Sequence, residues 1–237
     1  MNDTVIKYIK LPFHFDTAPM LAEINNVKET WLPHYNSQGY TGEWTALPLR
    51  TIGGTTDQHT AEAMGSNSGF EDTALLAHCP EVQQCIDTLQ CEKLGIRVLN
   101  LRPEATIKEH RDFDLCYEEG EIRIHIPLQT NDQVSFLLEG EQMTINEGEC
   151  WYMNFDLPHT LSNNGKTDRL HLVIDCVVNE WITNLFSSTT LEKIAHTENR
   201  NKMSRTDKQA MLEQLKQMNN EASRALIAQL EKELQTP

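Results

Sequence analysis

E-I-R-I-H-I-P-L at 121–128, V-S-F-L-L at 134–138, E-C-W-Y-M-N-F at 149–155 and R-L-H-L-V-I-D-C-V-V at 169–178 are short apolar runs. Turn residues set them apart: Glu139-Gly140, Asn146-Glu147-Gly148 and Asn163-Asn164-Gly165. I-R-V-L-N-L at 96–101 adds a fifth run. Several short strands at this spacing predict an antiparallel barrel or sandwich. Two of the runs alternate. In 121–126 the isoleucines take one face, and Arg123 and His125 the other. In 169–174 Arg169, His171 and Val173 share a face opposite Leu170, Leu172 and Ile174, because successive strand residues point to opposite sides. An arginine aimed into a barrel is costly without an anionic partner. The inward reading therefore makes these faces an anion site, and the bland one makes Arg123 and His125 a solvated outer face.

Outside this segment the pattern changes. Residues 5–11 read as a strand. Residues 17–30 read as a helix, with Met20, Leu21, Ile24 and Val27 at helical spacing. A turn-rich stretch follows, punctuated by Gly39, Gly42, Gly53 and Gly54. Residues 80–94 read as a second helix with Val82, Cys85, Ile86 and Leu89 on one face, ended by Gly95. From Trp181 onward the chain reads as helical, with Ser204-Arg205-Thr206-Asp207 as a capping box. Apolar residues then recur at Met211, Leu215, Met218, Ala222, Leu226, Leu230 and Leu234, and Asn219 and Asn220 stand where they can interrupt the helix. That face packs on the barrel or pairs with the same helix of a second chain, giving a homodimer; the sequence leaves both open. The expected division is a jelly-roll domain with an N-terminal α/β flank over 1–180 and a helical extension over 181–237, a mainly β fold with flanking helices.

The chain has 237 residues, enough for one core of ordinary size and an appendage. With 39% hydrophobic and 23% charged residues it belongs with folded globular proteins. No apolar run approaches the roughly 18 residues that cross a bilayer. Residues 1–10 lack the pattern of a secretory signal, so the default expectation is cytoplasmic. A net charge of -15 argues against phosphate-rich nucleic acid and against anionic membrane surfaces as partners. Six cysteines without a C-x-x-C pair read as free thiols, mostly buried.

The chemistry concentrates in L-R-P-E-A-T-I-K-E-H-R-D-F-D at 101–114. His110 and Asp112 are two residues apart, which on a strand presents an imidazole and a carboxylate side by side. A third ligand is available in His159, within L-P-H-T-L-S-N-N-G at 157–165. A late strand of a rolled sheet can return beside an early one. Two histidines and one carboxylate with open positions is the set used by non-haem Fe(II) oxygenases. Arg169 follows ten residues after His159 and can grip a carboxylate with both arms of its fork. Singly these residues are weak signals, since an isolated H-x-D pair or a lone histidine after proline is more often structural. Their order within one strand-rich segment is the informative feature.

The stretch 101–175 resembles the aspartyl/asparaginyl β-hydroxylase family, which includes bacterial proline 3-hydroxylases. The matching pieces are H-R-D-F at 110–113, R-I-H-I at 123–126, N-E-G-E-C-W at 146–151, L-P-H at 157–159 and D-R-L-H-L-V-I-D at 168–175. G-E-W-T-A-L-P-L-R-T-I-G-G at 42–54 is similar to an upstream pattern of these enzymes. The resemblance implies a double-stranded β-helix core, Fe(II), and consumption of 2-oxoglutarate and O2. It assigns His110, Asp112 and His159 to iron, Arg169 to the C5-carboxylate of 2-oxoglutarate, and Arg123 and His125 to further contacts with that co-substrate. The carboxylate at Asp112 places the chain nearer the bacterial small-molecule branch than members acting on epidermal-growth-factor-like domains, which often lack it. Glu104 departs from the family, many of whose members have glycine there after the proline, and this bears on the turn.

The expected reaction is hydroxylation of an unactivated C–H bond in a small, proline-like amino acid, with succinate and CO2 released. Arg50 or Arg102 would meet the substrate carboxylate, and Trp44 would wall the pocket. One alternative is β-hydroxylation of Asp or Asn within a peptide. Another, of a different class, is a metal-dependent jelly-roll binding or sensor protein without turnover; it would not bind 2-oxoglutarate at its metal.

Overall fold

The computed structural model describes residues 3–27, 31–57, 69–190, 192–196 and 205–218, together with 227, 230, 231 and 234. In chain order the strands are β1 (Asp3–His14), β2 (Leu32–Pro33), β3 (Tyr40–Thr41), β4 (Trp44–Ile52), β5 (Phe70–Asp72), β6 (Lys93–Leu101), β7 (Thr106–His110), β8 (Glu121–Gln129), β9 (Val134–Leu138), β10 (Glu141–Gln142), β11 (Glu149–Met153), β12 (His159–Asn163), β13 (Arg169–Val177) and β14 (Glu192–His196). The helices are α1 (Thr17–Asn26), α2 (Pro80–Asp87), α3 (Glu180–Ser187) and α4 (Arg205–Met218). A larger antiparallel sheet runs β14-β1-β11-β8-β13-β6-β4-β2, with β5 on the edge of β4; a smaller one runs β10-β9-β12-β7-β3. The two sheets face each other as the expected jelly roll.

The alternation in β8 and β13 separates two cores. Ile122, Ile124, Ile126, Leu170, Leu172 and Ile174 point outward from the larger sheet. They are nevertheless buried, because Met20 and Ile24 of α1 and Val82, Cys85 and Ile86 of α2 pack in the same cluster. The opposite face joins the second cluster, in which Trp44, Ala46, Leu99, Leu101 and Val173 meet Ile107, Phe136, Leu138 and Leu161 of the smaller sheet. Each fully buried Leu, Ile or Val contributes roughly 1.5–3 kcal/mol. Both faces of β6, β8 and β13 are thus covered, and Arg123 and His125 are each only 5% exposed. The solvated-face reading of these two residues is overturned.

Four expected elements change, the first being the extension, where residues 192–196 form β14 on the edge of β1 instead of helix, because β1 offers an open strand edge there. The second helix stops at Asp87 rather than near residue 94. Thr88 and Leu89 close its last turn with bonds to Cys85 O and Ile86 O, and Gly95 lies inside β6. Residues 93–101 pair on both sides, with β13 and β4, and this long-range pairing outweighs the local helical phase. The turn-rich stretch holds β4, nine residues long, with a register shift between Pro48 and Arg50 that accommodates the missing proline N–H. The first helix ends at Asn26; it is opened by Asp16, whose side chain accepts from Ala18 N at 3.1 Å.

The expected capping box at 204–207 lies partly, and Asn219, Asn220, Ala222 and Leu226 lie wholly, outside the described residues. Within them, Leu212 and Leu215 of α4 are buried against Leu230, with Met211, Ile227 and Leu234 packed alongside. The apolar face of α4 therefore has a partner in its own chain. All six cysteines are free, and only Cys91 is not buried. Among the described residues no helix is long and apolar enough to cross a membrane.

Glu104 adopts φ 65°, a left-handed conformation, while its N–H donates to Asn163 O at 2.7 Å. The turn thus keeps a geometry that suits glycine despite the side chain. Glu104→Gly is expected to stabilise the fold by up to about 1 kcal/mol, relief of strain being partly offset by the looser unfolded chain. Urea unfolding measures this, and a clear loss of stability would contradict it.

Candidate active site

The two histidines of the site stand on adjacent strands of the smaller sheet, on the cavity it forms with the larger one. His110 ends β7, His159 opens β12, and the two are cross-strand partners. Their rings lie 4.1 Å apart at 52°. Each ring is anchored by its own backbone: His110 Nδ1 is 2.8 Å from Lys108 O and His159 Nδ1 is 2.9 Å from Leu157 O. A carbonyl accepts only, so both Nδ1 atoms carry the proton and Nε2 is the nitrogen with which each ring can bind a Lewis acid.

Asp112 arrives differently from the same-face expectation. The strand stops at His110, and Asp112 sits beyond it, held by its N–H to Phe155 O at 2.9 Å. Its Oδ1 is 3.7 Å from His110 Nε2, and its Oδ2 accepts from Arg123 Nη1 at 2.6 Å. One ligand atom from each of His110, Asp112 and His159 lies within 4.8 Å of the others, a spacing that one ion closes by drawing the three side chains together. Two imidazoles and one carboxylate on the wall of a cavity fit a non-haem Fe(II) ion.

All three residues line one cavity. Its larger-sheet wall carries Trp44, Arg97, Leu99, Arg123, His125 and Arg169; Ile107, Phe136 and Leu161 face them from the smaller sheet; Phe155 lies between, and His34, Tyr35 and Asn36 complete the lining. The extension touches it through Gln214, whose Nε2 is 3.4 Å from Asn36 Oδ1.

The polar wall is a relay of charges. Arg123 gives Nε and Nη2 to Asp175, at 2.7 and 3.1 Å, and Nη1 to Asp112. Arg97 Nη1 donates to Asp175 Oδ2 at 2.8 Å. Burial alone would raise the Asp175 pKa, but the two guanidiniums outweigh it and hold the carboxyl far below its ordinary range. Arg169 contrasts with this. It is 4% exposed, its Nη2 lies 3.1 Å from His171 Nδ1, and among the described residues no carboxylate pairs with it. Burial pulls its pKa down to about 9. His125 and His171 are held neutral, by burial first and then by Arg169. Two buried polar atoms on this wall have no partner among the described residues: His125 Nε2 and Trp44 Nε1.

Two expected substrate residues are elsewhere. Arg50 ties β4 to its edge through Asp72 Oδ1 at 2.6 Å, Phe70 O and Lys93 O. Arg102 is half exposed and pairs with Asp168 and Glu43. Neither lines the cavity. Trp44 does, stacked on His34 with centroids 3.4 Å apart. The sequence reading missed Arg97, Asp175 and His34. Strand parity held a signal for two of them: Arg97 is the one charged residue in its apolar run, and Asp175 follows Arg169, His171 and Val173 on the same face.

Glu121 stands beside the relay. Burial, then Asp175, raise its pKa to about 7 against the pull of Arg123. A carboxyl raised in the folded state binds its proton more tightly there, so its contribution is full below its unfolded value near 4.5 and is lost as pH rises to 7. Glu121→Gln should remove on the order of 1 kcal/mol of that loss, allowing for partial solvent screening. Unfolding free energies at pH 5 and pH 8 for both proteins check this; identical pH dependence would refute it.

A family model described as Aspartyl/Asparaginyl beta-hydroxylase matches residues 17–178. The chain is 27% identical over 163 residues to the L-proline cis-4-hydroxylase of Rhizobium meliloti (strain 1021), covering 68% of this chain and 57% of that protein. It thus spans little more than half the length of that relative. Among solved structures, a 2OG-Fe(II) oxygenase family oxidoreductase from Burkholderia pseudomallei is 12% identical, with 68% of this chain and 79% of that one covered and a TM-score of 0.48. HygX from Streptomyces hygroscopicus, solved with nickel and 2-oxoglutarate bound, is 8% identical, with 74% and 84% covered and a TM-score of 0.46.

Proposed function

The chain belongs to the aspartyl/asparaginyl β-hydroxylase family, and from that premise we propose that it is an Fe(II)- and 2-oxoglutarate-dependent hydroxylase of a small, proline-like amino acid. The observation that carries this reading is Arg169, a buried cation without a carboxylate partner among the described residues, in the same cavity as a two-histidine, one-carboxylate group. Leaving such a charge unpaired costs several kcal/mol, so the wall is built for an anion that arrives with the ligand.

His110 Nε2, His159 Nε2 and Asp112 Oδ1 would hold the iron. When bound, iron together with 2-oxoglutarate and O2 supplies the oxidation of a C–H bond to an alcohol, with succinate and CO2 as co-products. The chain's own residues do the positioning. Arg169 takes the far carboxylate of the co-substrate. Arg123 neutralises Asp112 Oδ2 and leaves Oδ1 to face the two imidazoles. His125 Nε2 is an unused acceptor on the same wall. Phe136, Phe155, Ile107 and Leu161 keep the cavity dry, which strengthens every ion pair inside it.

The test is to load the protein with Fe(II) without oxygen, add 2-oxoglutarate and record the weak visible charge-transfer band. Air and the common L-amino acids, proline first, are then added and succinate is measured. The expected result is a band and amino-acid-stimulated succinate. Bound iron with neither overturns the reading and favours a metal-dependent binding module.

A further inference from the structure

Of the six cysteines, five are buried and Cys91 alone is not. A buried cysteine behaves as a small apolar side chain. Burial pushes the Cys85 thiol up to about 12 and Cys150 well above its ordinary value, which leaves both inert at neutral pH. Cys91 has different surroundings. It lies in the bend between α2 and β6, two residues before Lys93, and Lys93 pairs with Cys176 of β13. Val177 N donates to Glu92 O at 3.0 Å, so the bend runs on alongside β13. Cys91 and Cys176 therefore come to the same side of the sheet. Both line a small apolar cavity walled by Trp181, Leu185 and Phe186 of α3.

The two sulfurs interact. The Cys176 thiol hydrogen-bonds to the Cys91 sulfur, and Lys93, anchored on Leu89 O, adds its positive charge. Together they lower the Cys91 pKa against the effect of burial, while the same bond and burial raise that of Cys176. One thiol is reachable and leans toward thiolate. Its neighbour keeps its proton and is 0% exposed. That is the arrangement of an attacking and a resolving cysteine.

We propose that Cys91 and Cys176 form a reversible oxidation site for small hydroperoxides, closing to an intramolecular disulfide. The Cys91 thiolate attacks one peroxide oxygen and the O–O bond breaks. The other oxygen leaves as water or alcohol, taking up the proton that the thiol gave to solvent, and Cys91 becomes a sulfenic acid. The Cys176 sulfur then attacks the Cys91 sulfur and displaces its hydroxyl, which leaves as water with the Cys176 proton. Two thiols lose two electrons and one hydroperoxide gains them. Diagonal neighbours across a ladder stand near the outer reach of a disulfide. Cys91 can make up the difference because it lies outside the ladder, before β6 begins. The site is on the helix-covered face of β13, since Cys176 packs in the cluster with α1 and α2 while Asp175 before it faces Arg97 and Arg123. It is therefore separate from the cavity of the metal group and independent of the hydroxylase reading.

The experiment uses the full chain, reduced, freed of reductant and held in chelator so that no iron takes part. Hydrogen peroxide is added, free thiols are counted after alkylation in denaturant, and digested peptides are identified by mass. Two of the six thiols should disappear together, at least about 10-fold faster than any other, with a peptide linking Cys91 to Cys176 that dithiothreitol reverses. Cys176→Ala should leave Cys91 as a sulfenic acid that dimedone captures, and Cys91→Ser should abolish the fast phase. Because Cys91 is only half-buried, its serine variant keeps the test decisive if Cys176→Ala does not fold. Thiols that all survive the peroxide in the folded protein, a linked peptide formed only in urea, Cys91 oxidised without a link to Cys176, a Cys91 link between two chains, or a fast phase that persists in Cys91→Ser would each overturn the proposal.

Discussion

Arg169→Met weakens 2-oxoglutarate binding by roughly 100-fold and leaves the ligand-free protein as stable as the parent or more so; these are the expected results of one substitution, with opposite signs. The binding loss follows from geometry. A guanidinium in a dry cavity meets a carboxylate with charge-assisted, two-pronged bonds, and removing one partner of such a pair costs about 2–5 kcal/mol. The stability gain follows from the same burial. Arg169 has no carboxylate partner among the described residues, and burial has already pulled its pKa down to about 9. Methionine has similar length and no charge to desolvate, and such exchanges are neutral or stabilising by about 1–4 kcal/mol. Titration of 2-oxoglutarate against the iron-loaded proteins and urea unfolding of the iron-free ones give the two numbers. Unchanged affinity in the variant would remove Arg169 from the co-substrate site.

What could be read from the chain alone divides along physical lines. Strand alternation is local, so it was legible that Arg123 shares a face with His125 and Arg169 with His171, and that the strands make a barrel or sandwich; that the Arg123 face turns inward was not, because it depends on α1 and α2 covering the other side. The pinning of His110 to His159 was legible only as a pairing of types, since the register that sets them opposite each other is a long-range property. Asp112 was legible as a member of the three-residue group, but not by the route it takes, because its position depends on a bond to Phe155 O rather than on the strand. β4 was hidden by Pro48 and the glycines around it. The choice among arginines failed because distance along the chain does not say which side of a sheet a residue faces. Arg50 is bound up at a strand edge, and Arg97, buried mid-strand, reaches the cavity.

The charge relay behind the metal group supplies the second large effect. Asp175→Asn should destabilise the protein by about 3–5 kcal/mol and lower its affinity for iron by roughly 10-fold or more. Asp175 is 5% exposed and accepts from both Arg97 and Arg123. Asparagine keeps the shape and one acceptor but removes the charge, so two buried guanidiniums are left with Asp112 as their nearest compensation. Arg123 would then turn more fully onto Asp112, and the Oδ1 that faces the histidines would be drawn into an ion pair instead. Iron binding falls although no ligand has been touched. The sign with pH is fixed by the direction of the Asp175 shift. A depressed carboxyl contributes stability above its unfolded value near 3.9, and that contribution is lost as pH falls toward the folded value. The parent should therefore lose more stability than the variant on acidification below about pH 4, and the gap between them should narrow there. Urea unfolding across that range, with iron titration near neutrality, measures both effects. A variant within about 1 kcal/mol of the parent, with unaltered iron affinity, would show that Asp112 is held by the backbone bond to Phe155 O alone and that the relay has no part in shaping the site.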